Sequence, residues 1–505
     1  MRASIASAAL VTVSLAIGLL LARTTGATYD EPPYLGFSWA YLHGGPKAAV
    51  REYPPVPSYL RGAALAAAGA GAPNPPAGLV TGAVEPHVFG QLFLFYNRVP
   101  PEALLFWGRA AGLLFFALLL GVLRWWGGLF ALAFAAFDPN LLAHSSLATT
   151  DGAFIALFIA ALALWEVSPV AAGAVGGLAL GSKATAIILP LIFLYAGRAR
   201  PKAVAYSCAA FAAVALLCYV PTGAGGFFDM LMFRTAQMGS PAPTYLFGTI
   251  YPQGHPLYFP AILLIKTTLP LLFLGAWGLA DARLWKGREE RRRLILAAGA
   301  VILLSAMSAR RQLGVRYVLA LYPLLALGAG AAAAALWSRG GRARLAAGAL
   351  LSWHAASSLA ALPQPLAYAN EAFGGPAAAW RLMGDSNVDW GQALPELRDF
   401  IEENPGGLIL SYFGRDCPSR HGLEAQAAFS TPGPCPRGAA LALDVEREWL
   451  AVSATKRQGF YESGPPAWAW LESRAPAAVA GRAILIYDVS RDADAHERLA
   501  AMYAA

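Results

Sequence analysis

Three observations predict that this chain is a polytopic α-helical membrane protein with a C-terminal extracytoplasmic α/β domain. Of its 505 residues, 57% are hydrophobic and 13% are charged, whereas soluble chains carry about a quarter charged residues. Apolar stretches of roughly 20 residues, the length that crosses a bilayer, recur as far as Leu362 and then stop. The basic residues gather in short loops between those stretches, as the positive-inside rule requires. The net charge of +8 therefore reports topology, and nucleic acid is excluded as a partner.

Taken in order, the spans are predicted near 4–22, 103–123, 127–143, 151–166, 168–182, 184–197, 203–221, 257–280, 294–308, 316–337 and 343–362, about eleven in all. The first begins with Arg2 and an apolar run, the pattern of a signal peptide. It is read as a retained span, because no small-residue cleavage site precedes Asp30. With the N-terminus cytoplasmic, Arg124, then Arg198 to Lys202, then Arg283 to Arg293, then Arg339 to Arg344 all fall inside. The outer face, that of the cell (inner) membrane, receives the first loop (about 24–102), the turn 139–151, the loop 221–256 and everything after 362.

In the first loop, Ala63 to Ala77 reads as a short helix and linker, and Glu85 to Arg98 as an amphipathic interfacial helix with Gln91, Asn97 and Arg98 toward water. The membrane domain is expected over 1–365 and the soluble domain over 366–505. In the latter, Trp390 to Glu403 reads as a helix, and Gly407 to Tyr412, Ala440 to Leu443, Trp449 to Val452 and Ala483 to Tyr487 as strands. Cys208 and Cys218 lie in an apolar run and pack there. Cys417 and Cys435 form either a disulfide, if outside the cytoplasm, or two free thiols.

Four constellations carry chemistry. Asp30 and Glu31 stand just beyond the first span; either is a general base at the membrane surface, or the pair simply opens a helix before Pro32. Asp151, after Thr149 and Thr150, is a second acidic group on the same face or a cap of the following helix. With His144 these carboxylates match no metal-ligand spacing, so no metal or other cofactor is assigned and a divalent-metal requirement stays open. The cations Lys183, Arg310, Arg311 and Arg316 sit at span ends on the outer side, and Lys266 sits within a span. Each alone is explained by snorkelling, but together on the wrong side they call for a phosphate partner at headgroup level. Lastly, Asp385, Asn387, Asp389 and Gln392 surround Trp390; they cap a helix, with Asp389 as the cap, or bind a sugar.

These residues resemble a family, the polytopic GT-C glycosyltransferases related to protein O-mannosyltransferases and lipid A aminoarabinose transferases. The resemblance rests on Asp30-Glu31 followed by Tyr53-Pro54-Pro55, on Asn140 to Asp151, on Gly314 to Tyr317 with Tyr322-Pro323, and on Leu366 to Gln392. Where the family often has His before the proline pair this chain has Tyr53, and Tyr368-Ala369-Asn370-Glu371 lacks one aromatic of that tract. The resemblance implies a membrane enzyme that moves a sugar, with inversion, from a polyprenyl-phosphate donor to an extracytoplasmic protein, lipid or glycan. It implies Asp30 as base, with Glu31 and Asp151 as further acidic residues of the site. Lys183, Lys266, Arg316 and Arg109 are the implied phosphate ligands, and Tyr53, Tyr317, Asp385, Asn387, Asp389, Trp390 and Gln392 the sugar or acceptor contacts. The rival reading is a lipid flippase, which would show inverted repeats and broken helices.

Overall fold

A computed structural model describes residues 2–44, 52–76, 85–223, 225–427, 435, 447–462 and 466–504. From the N-terminus the chain runs through α1 (Arg2–Thr24), α2 (Glu31–Leu42), α3 (Pro55–Ala67), α4 (Pro86–Phe95), α5 (Pro101–Ala136), α6 (Pro139–Ser145), α7 (Asp151–Leu164) and α8 (Pro169–Leu180). There follow α9 (Leu189–Ala196), α10 (Pro201–Tyr219), α11 (Gly226–Gly239), the hairpin β1 (Thr244–Leu246) and β2 (Thr249–Tyr251), α12 (Tyr258–Lys266), α13 (Leu269–Ala280), α14 (Glu289–Ser308), α15 (Leu321–Ser338) and α16 (Gly341–Leu359). Proline sets many of the starts: Pro55, Pro86, Pro101, Pro139, Pro169 and Pro201 each occupy a first helical position, where the missing N–H costs nothing. Asp138 and Ser168 add side-chain caps, accepting from the Leu141 and Ala171 N–H groups.

The chain is an integral membrane protein. Among the described residues four helices are long and apolar enough to cross a membrane, Ala3–Thr24, Pro101–Ala136, Pro201–Tyr219 and Leu321–Ser338, or five counting one bent pair. Shorter apolar helices stand at Asp151–Leu164, Pro169–Leu180 and Ala184–Ala196. Helices occur at each predicted span, but two are arranged differently from the expectation. The break expected around Arg124 falls instead at Gly128, whose φ of 86° interrupts α5, a conformation that glycine alone adopts without strain. The single span expected over 257–280 is the bent pair α12 and α13, turning through 117°. Pro270, at the second position of α13, removes a helical donor there and forbids a continuous helix. The exposed carbonyls of the break are satisfied by Asn370, whose Nδ2 donates to Leu264 O (2.6 Å) and Thr267 O (2.9 Å).

Where helices cross closely, small residues make the contact. A Cβ on Gly278 of α13 would lie 1.8 Å from the Gly328 carbonyl oxygen of α15. The first loop is also packed more tightly than expected. A Cβ on Gly90 of α4 would meet Pro33 N at 2.2 Å, and Gln91 is buried, donating to Arg415 O (3.2 Å). Asn97 and Arg98 fold back onto Gly71 and Gly69. The reading of 85–98 as a helix with these three polar groups in water is thus corrected in part: α4 ends at Phe95 and Gln91 is enclosed, whereas Asn97 is half-buried and Arg98 remains exposed.

After α16 come α17 (Ala379–Leu382), α18 (Leu394–Glu403), β3 (Gly407–Ser411), β4 (Gln426–Ala427), β5 (Glu448–Ser453), α19 (Ala454–Gln458), β6 (Ala478–Ala480), β7 (Ile484–Asp488) and α20 (Ala493–Ala504). The sheet order is β4-β3-β5-β7-β6. β3 runs parallel to β4 and β5, and β7 antiparallel to β5 and β6. Alternation buries both faces: Leu408, Leu410 and Ile486 pack with Leu394 and Leu397 of α18, and Ile409, Leu450 and Leu485 pack with Leu499 of α20. The strand expected over 440–443 lies outside the described residues. Cys417 and Cys435 are joined as a disulfide with Cα atoms 5.7 Å apart.

The α13/α15 crossing yields a test. Gly278→Val should separate these helices and lower stability by about 1–3 kcal/mol, read as a lower thermal midpoint of the purified protein in detergent.

Candidate active site

The site is assembled on the tract Asp385 to Gln392. Gly26 N donates to Gln392 O (3.0 Å) and Tyr29 N to Trp390 O (2.7 Å), so the start of the first loop is zipped to the tract by backbone. Asn387 accepts from Val315 N (2.9 Å) and donates to Tyr258 Oη (2.8 Å), which fixes the loop before α15 against α12. Asp389 accepts from Thr455 N (2.9 Å), tying in the start of α19. Gln392 closes the turn, accepting from Trp390 N (2.7 Å) and donating to Val388 O (2.8 Å). One short segment thus joins the first loop, the membrane helices and the C-terminal sheet.

This arrangement corrects two expectations. Asp389 does not cap a helix: α18 begins only at Leu394, with Ala393 before it and no side-chain cap. The backbone of 390–392 is diverted to Gly26 and Tyr29, and Gly391 has a φ of 91°. Asn387, Asp389 and Gln392 are buried with their polar atoms spent inside the protein, so of the expected contacts in this tract only Asp385 and Trp390 reach the cavity.

That cavity has a volume of about 480 Å³ and is lined by Asp30, Tyr34, Tyr53, Arg316, Tyr317, Asp385 and Trp390, among others. Asp30 precedes α2 without capping it. Its Oδ2 instead meets Arg316 Nη1 at 2.7 Å, and the two side chains keep 23% and 16% of their surface exposed. The Arg316 guanidinium lies 4.5 Å from the Trp390 ring centre, a cation–π contact that holds its plane. Tyr53 stacks on Phe37 (4.6 Å) and meets Tyr34 edge-on.

Glu31 and Arg109 lie elsewhere. Arg109 Nε and Nη2 bind the two Glu31 oxygens at 2.7 and 2.6 Å. The guanidinium also donates to the carbonyls of Ala22, Thr25 and Gly26. Glu31 further accepts from Ala148 N and from the Thr28 N–H and hydroxyl. Burial pushes the Glu31 carboxyl up, but Arg109 and the two N–H donors pull it below its usual value. Neither side chain has surface to offer a substrate, which corrects the expectation of Glu31 as a catalytic group and Arg109 as a phosphate ligand. Lys266 is likewise buried, donating to Leu366 O (2.7 Å) and Asn387 O (2.8 Å), and is a clamp between α12 and the tract.

Asp151 pairs with Lys183 at 2.5 Å, and Lys183 donates to Arg316 O (3.2 Å). This pair stands directly behind Arg316 and does not line the cavity. Lys183 therefore finds its negative partner within the protein. The cavity's other polar groups escaped the sequence reading. Arg234 and Gln237 arrive on α11, Lys456 on α19, and Tyr461 and Glu462 from the loop beyond it. Arg311, which the sequence singled out only among several wrong-side cations, has its Nε buried with no hydrogen-bond partner among the described residues. Asp385, at a φ of 53°, accepts from the Tyr461 hydroxyl and from Ser386 N. Burial raises its carboxyl, and those donors moderate the rise. Among the described residues no group of three His, Cys, Asp or Glu side chains stands close enough to hold a metal ion.

The fold has known counterparts. The crystal structure of ArnT from Cupriavidus metallidurans in the apo state superimposes with a TM-score of 0.50, covering 96% of this chain and 98% of that one at 13% identity. At that identity the likeness establishes the shared fold. A structure of the same protein bound to undecaprenyl phosphate gives 0.48 over 95% and 97% of the two chains, at 14% identity. No family model and no curated protein matches the sequence. The chain thus shares the fold of ArnT along nearly its whole length, where the sequence showed only short motifs.

Two outcomes follow from the buried charges. Arg109→Met leaves Glu31 uncompensated and should cost about 3–5 kcal/mol, seen as a large fall in thermal midpoint. For Asp389, burial lifts the carboxyl from 3.8 to about 7. The unfolded chain then ionises before the folded one does, so stability falls as pH rises from 3.8 to about 7 and levels off above. Thermal unfolding between those limits should show Asp389→Asn gaining on the wild type as pH increases.

Proposed function

We propose that this protein is a membrane glycosyltransferase that transfers a sugar from a polyprenyl-phosphate carrier to an extracytoplasmic acceptor, with inversion and with Asp30 as general base. The observation that carries the reading is the Asp30–Arg316 pair at the wall of a 480 Å³ cavity, in a fold shared with ArnT. A carboxylate and a guanidinium in contact, both still open to the cavity, are the two groups that such a displacement needs. The guanidinium takes the phosphate of the leaving group, joined by Arg311 and Arg234, which also line the cavity. That contact releases Asp30, which removes the proton of an acceptor hydroxyl as its oxygen attacks the anomeric carbon from the side opposite the phosphate. The bond from that carbon to the phosphate oxygen breaks, and polyprenyl phosphate departs. Asp151 and Lys183 hold Arg316 from behind through its carbonyl.

The disulfide Cys417–Cys435 supports an extracytoplasmic position for the C-terminal segment. The basic loops support a cytoplasmic N-terminus in the cell (inner) membrane. The bent pair α12–α13 is a feature that favours a flippase, but Lys266 at its break is already engaged by Leu366 and Asn387.

Asp30→Asn should lower transfer from a radiolabelled polyprenyl-phosphate sugar by roughly 10²–10⁴-fold while the protein still inserts in the membrane. Undiminished transfer by that variant would sink the assignment.

A further inference from the structure

Another cavity, of about 400 Å³, shares no lining residue with the candidate active site. It arises because α15 outruns its neighbour. A Cβ on Gly275 of α13 would stand 3.1 Å from the Leu325 carbonyl oxygen, and one on Gly278 1.8 Å from that of Gly328. In this register α13 ends, at Ala280, beside Gly330, whereas α15 continues to Ser338. The chain then turns away from α15, and Trp285 folds back, its Nε1 donating to Gly278 O (2.7 Å). On the other side α5 is interrupted at Gly128. The face of α15 left between them is Leu327, Gly330, Ala331, Ala334, Ala335 and Ser338, a single stripe at helical spacing, about 16 Å long. Its small side chains leave the space open, and Trp126, Trp285, Arg288 and Arg291 supply the other walls.

The two arginines differ. Arg291 is spent: its Nη2 binds Glu166 (2.6 Å), its Nη1 donates to Trp126 O (2.5 Å), and the guanidinium lies 5.5 Å from the Trp126 ring centre. Arg288 is exposed, and among the described residues its side chain has no hydrogen bond or ion pair. The carboxylates nearest in sequence are engaged elsewhere, Asp281 by Arg283, Glu289 by Gly287 N and Glu290 by Arg200. From Asp281 to Arg293 there are six basic residues against three acidic ones, so the local surplus is positive.

We infer that this cavity binds an anionic phospholipid, its phosphate at the Arg288 guanidinium and an acyl chain along the small-residue face of α15. α15 is long and apolar enough to cross the membrane, so that face runs through hydrocarbon depth, and the basic loop beside it belongs at headgroup level on the positive side of the bilayer. A soluble phosphate would leave the apolar stripe unfilled, and a neutral lipid would leave Arg288 unanswered. The site lies at the end of α15 away from Arg316 and takes part in no step of sugar transfer, so it stands or falls apart from the transferase reading.

Native mass spectrometry of the full-length protein, delipidated in detergent and titrated with phosphatidylglycerol, phosphatidylcholine or glycerol phosphate, tests this. Phosphatidylglycerol should bind more tightly than phosphatidylcholine, and glycerol phosphate, which has the anion without the chains, should not be retained. Arg288→Gln should weaken phosphatidylglycerol binding about fivefold, the worth of one cation beside an anionic headgroup. Ala334→Leu, which fills the face at an exposed position, should weaken it with no change of charge. Arg293→Gln removes an exposed cation that does not line the cavity and should leave binding unchanged. Equal binding of the two lipids, retention of glycerol phosphate, a loss in Arg288→Gln no greater than in Arg293→Gln, or unaltered affinity in Ala334→Leu overturns the inference. So does a lipid-free dimer in the same spectra, which would give the small-residue face to a helix of a second copy.

Discussion

The buried ion pair between Glu31 and Arg109 is the contact on which the rest of the site depends. Five protein groups besides Glu31's own helix converge on it: the carbonyls of Ala22, Thr25 and Gly26, the Ala148 N–H and Thr28. A guanidinium and a carboxylate in so dry a place are tolerated only because nearly every donor and acceptor is matched. The end of α1, the start of α2 and the turn before α7 are thereby locked to α5. Its neighbour in sequence, Asp30, is then left facing the cavity, where it meets Arg316. Two adjacent acidic residues thus have opposite surroundings, Glu31 spent wholly inside the protein and Asp30 open to the cavity.

Much of the fold was legible. Apolar runs and the placement of arginines located the helices, since hydrophobic length and loop charge are local properties. What local reading missed were the breaks. Gly128 lies four residues beyond the Arg124 that drew attention, and the bend between α12 and α13 needs Asn370, far along the chain, to satisfy its carbonyls. Composition sees neither. That Glu31 is enclosed depends on Arg109, which arrives on α5 from 78 residues further along the chain.

The site itself was half legible. Asp30, Tyr53, Arg316, Tyr317, Asp385 and Trp390, all conspicuous in the sequence, line one cavity. Asn387, Asp389 and Gln392 were equally conspicuous as polar residues beside a tryptophan, yet they turn inward. Whether an amide or carboxylate addresses a ligand or an orphan N–H is decided by the backbone that happens to arrive beside it. The loops bearing Val315 and Thr455 arrive from distant parts of the chain. The same limit hid Phe413 and Tyr461, which are ordinary aromatics until the C-terminal sheet brings them against Tyr29.

The break between α12 and α13 also sets an order of events during biogenesis. Its free carbonyls and the Lys266 ammonium find their partners in Asn370, Leu366 and Asn387, about a hundred residues later in synthesis. Until that downstream stretch has emerged, the bent pair holds unsatisfied polar groups next to lipid, an arrangement that hydrocarbon does not sustain. The same late segment that completes the cavity thus completes the membrane domain, so a nascent chain acquires its finished bundle and its site together.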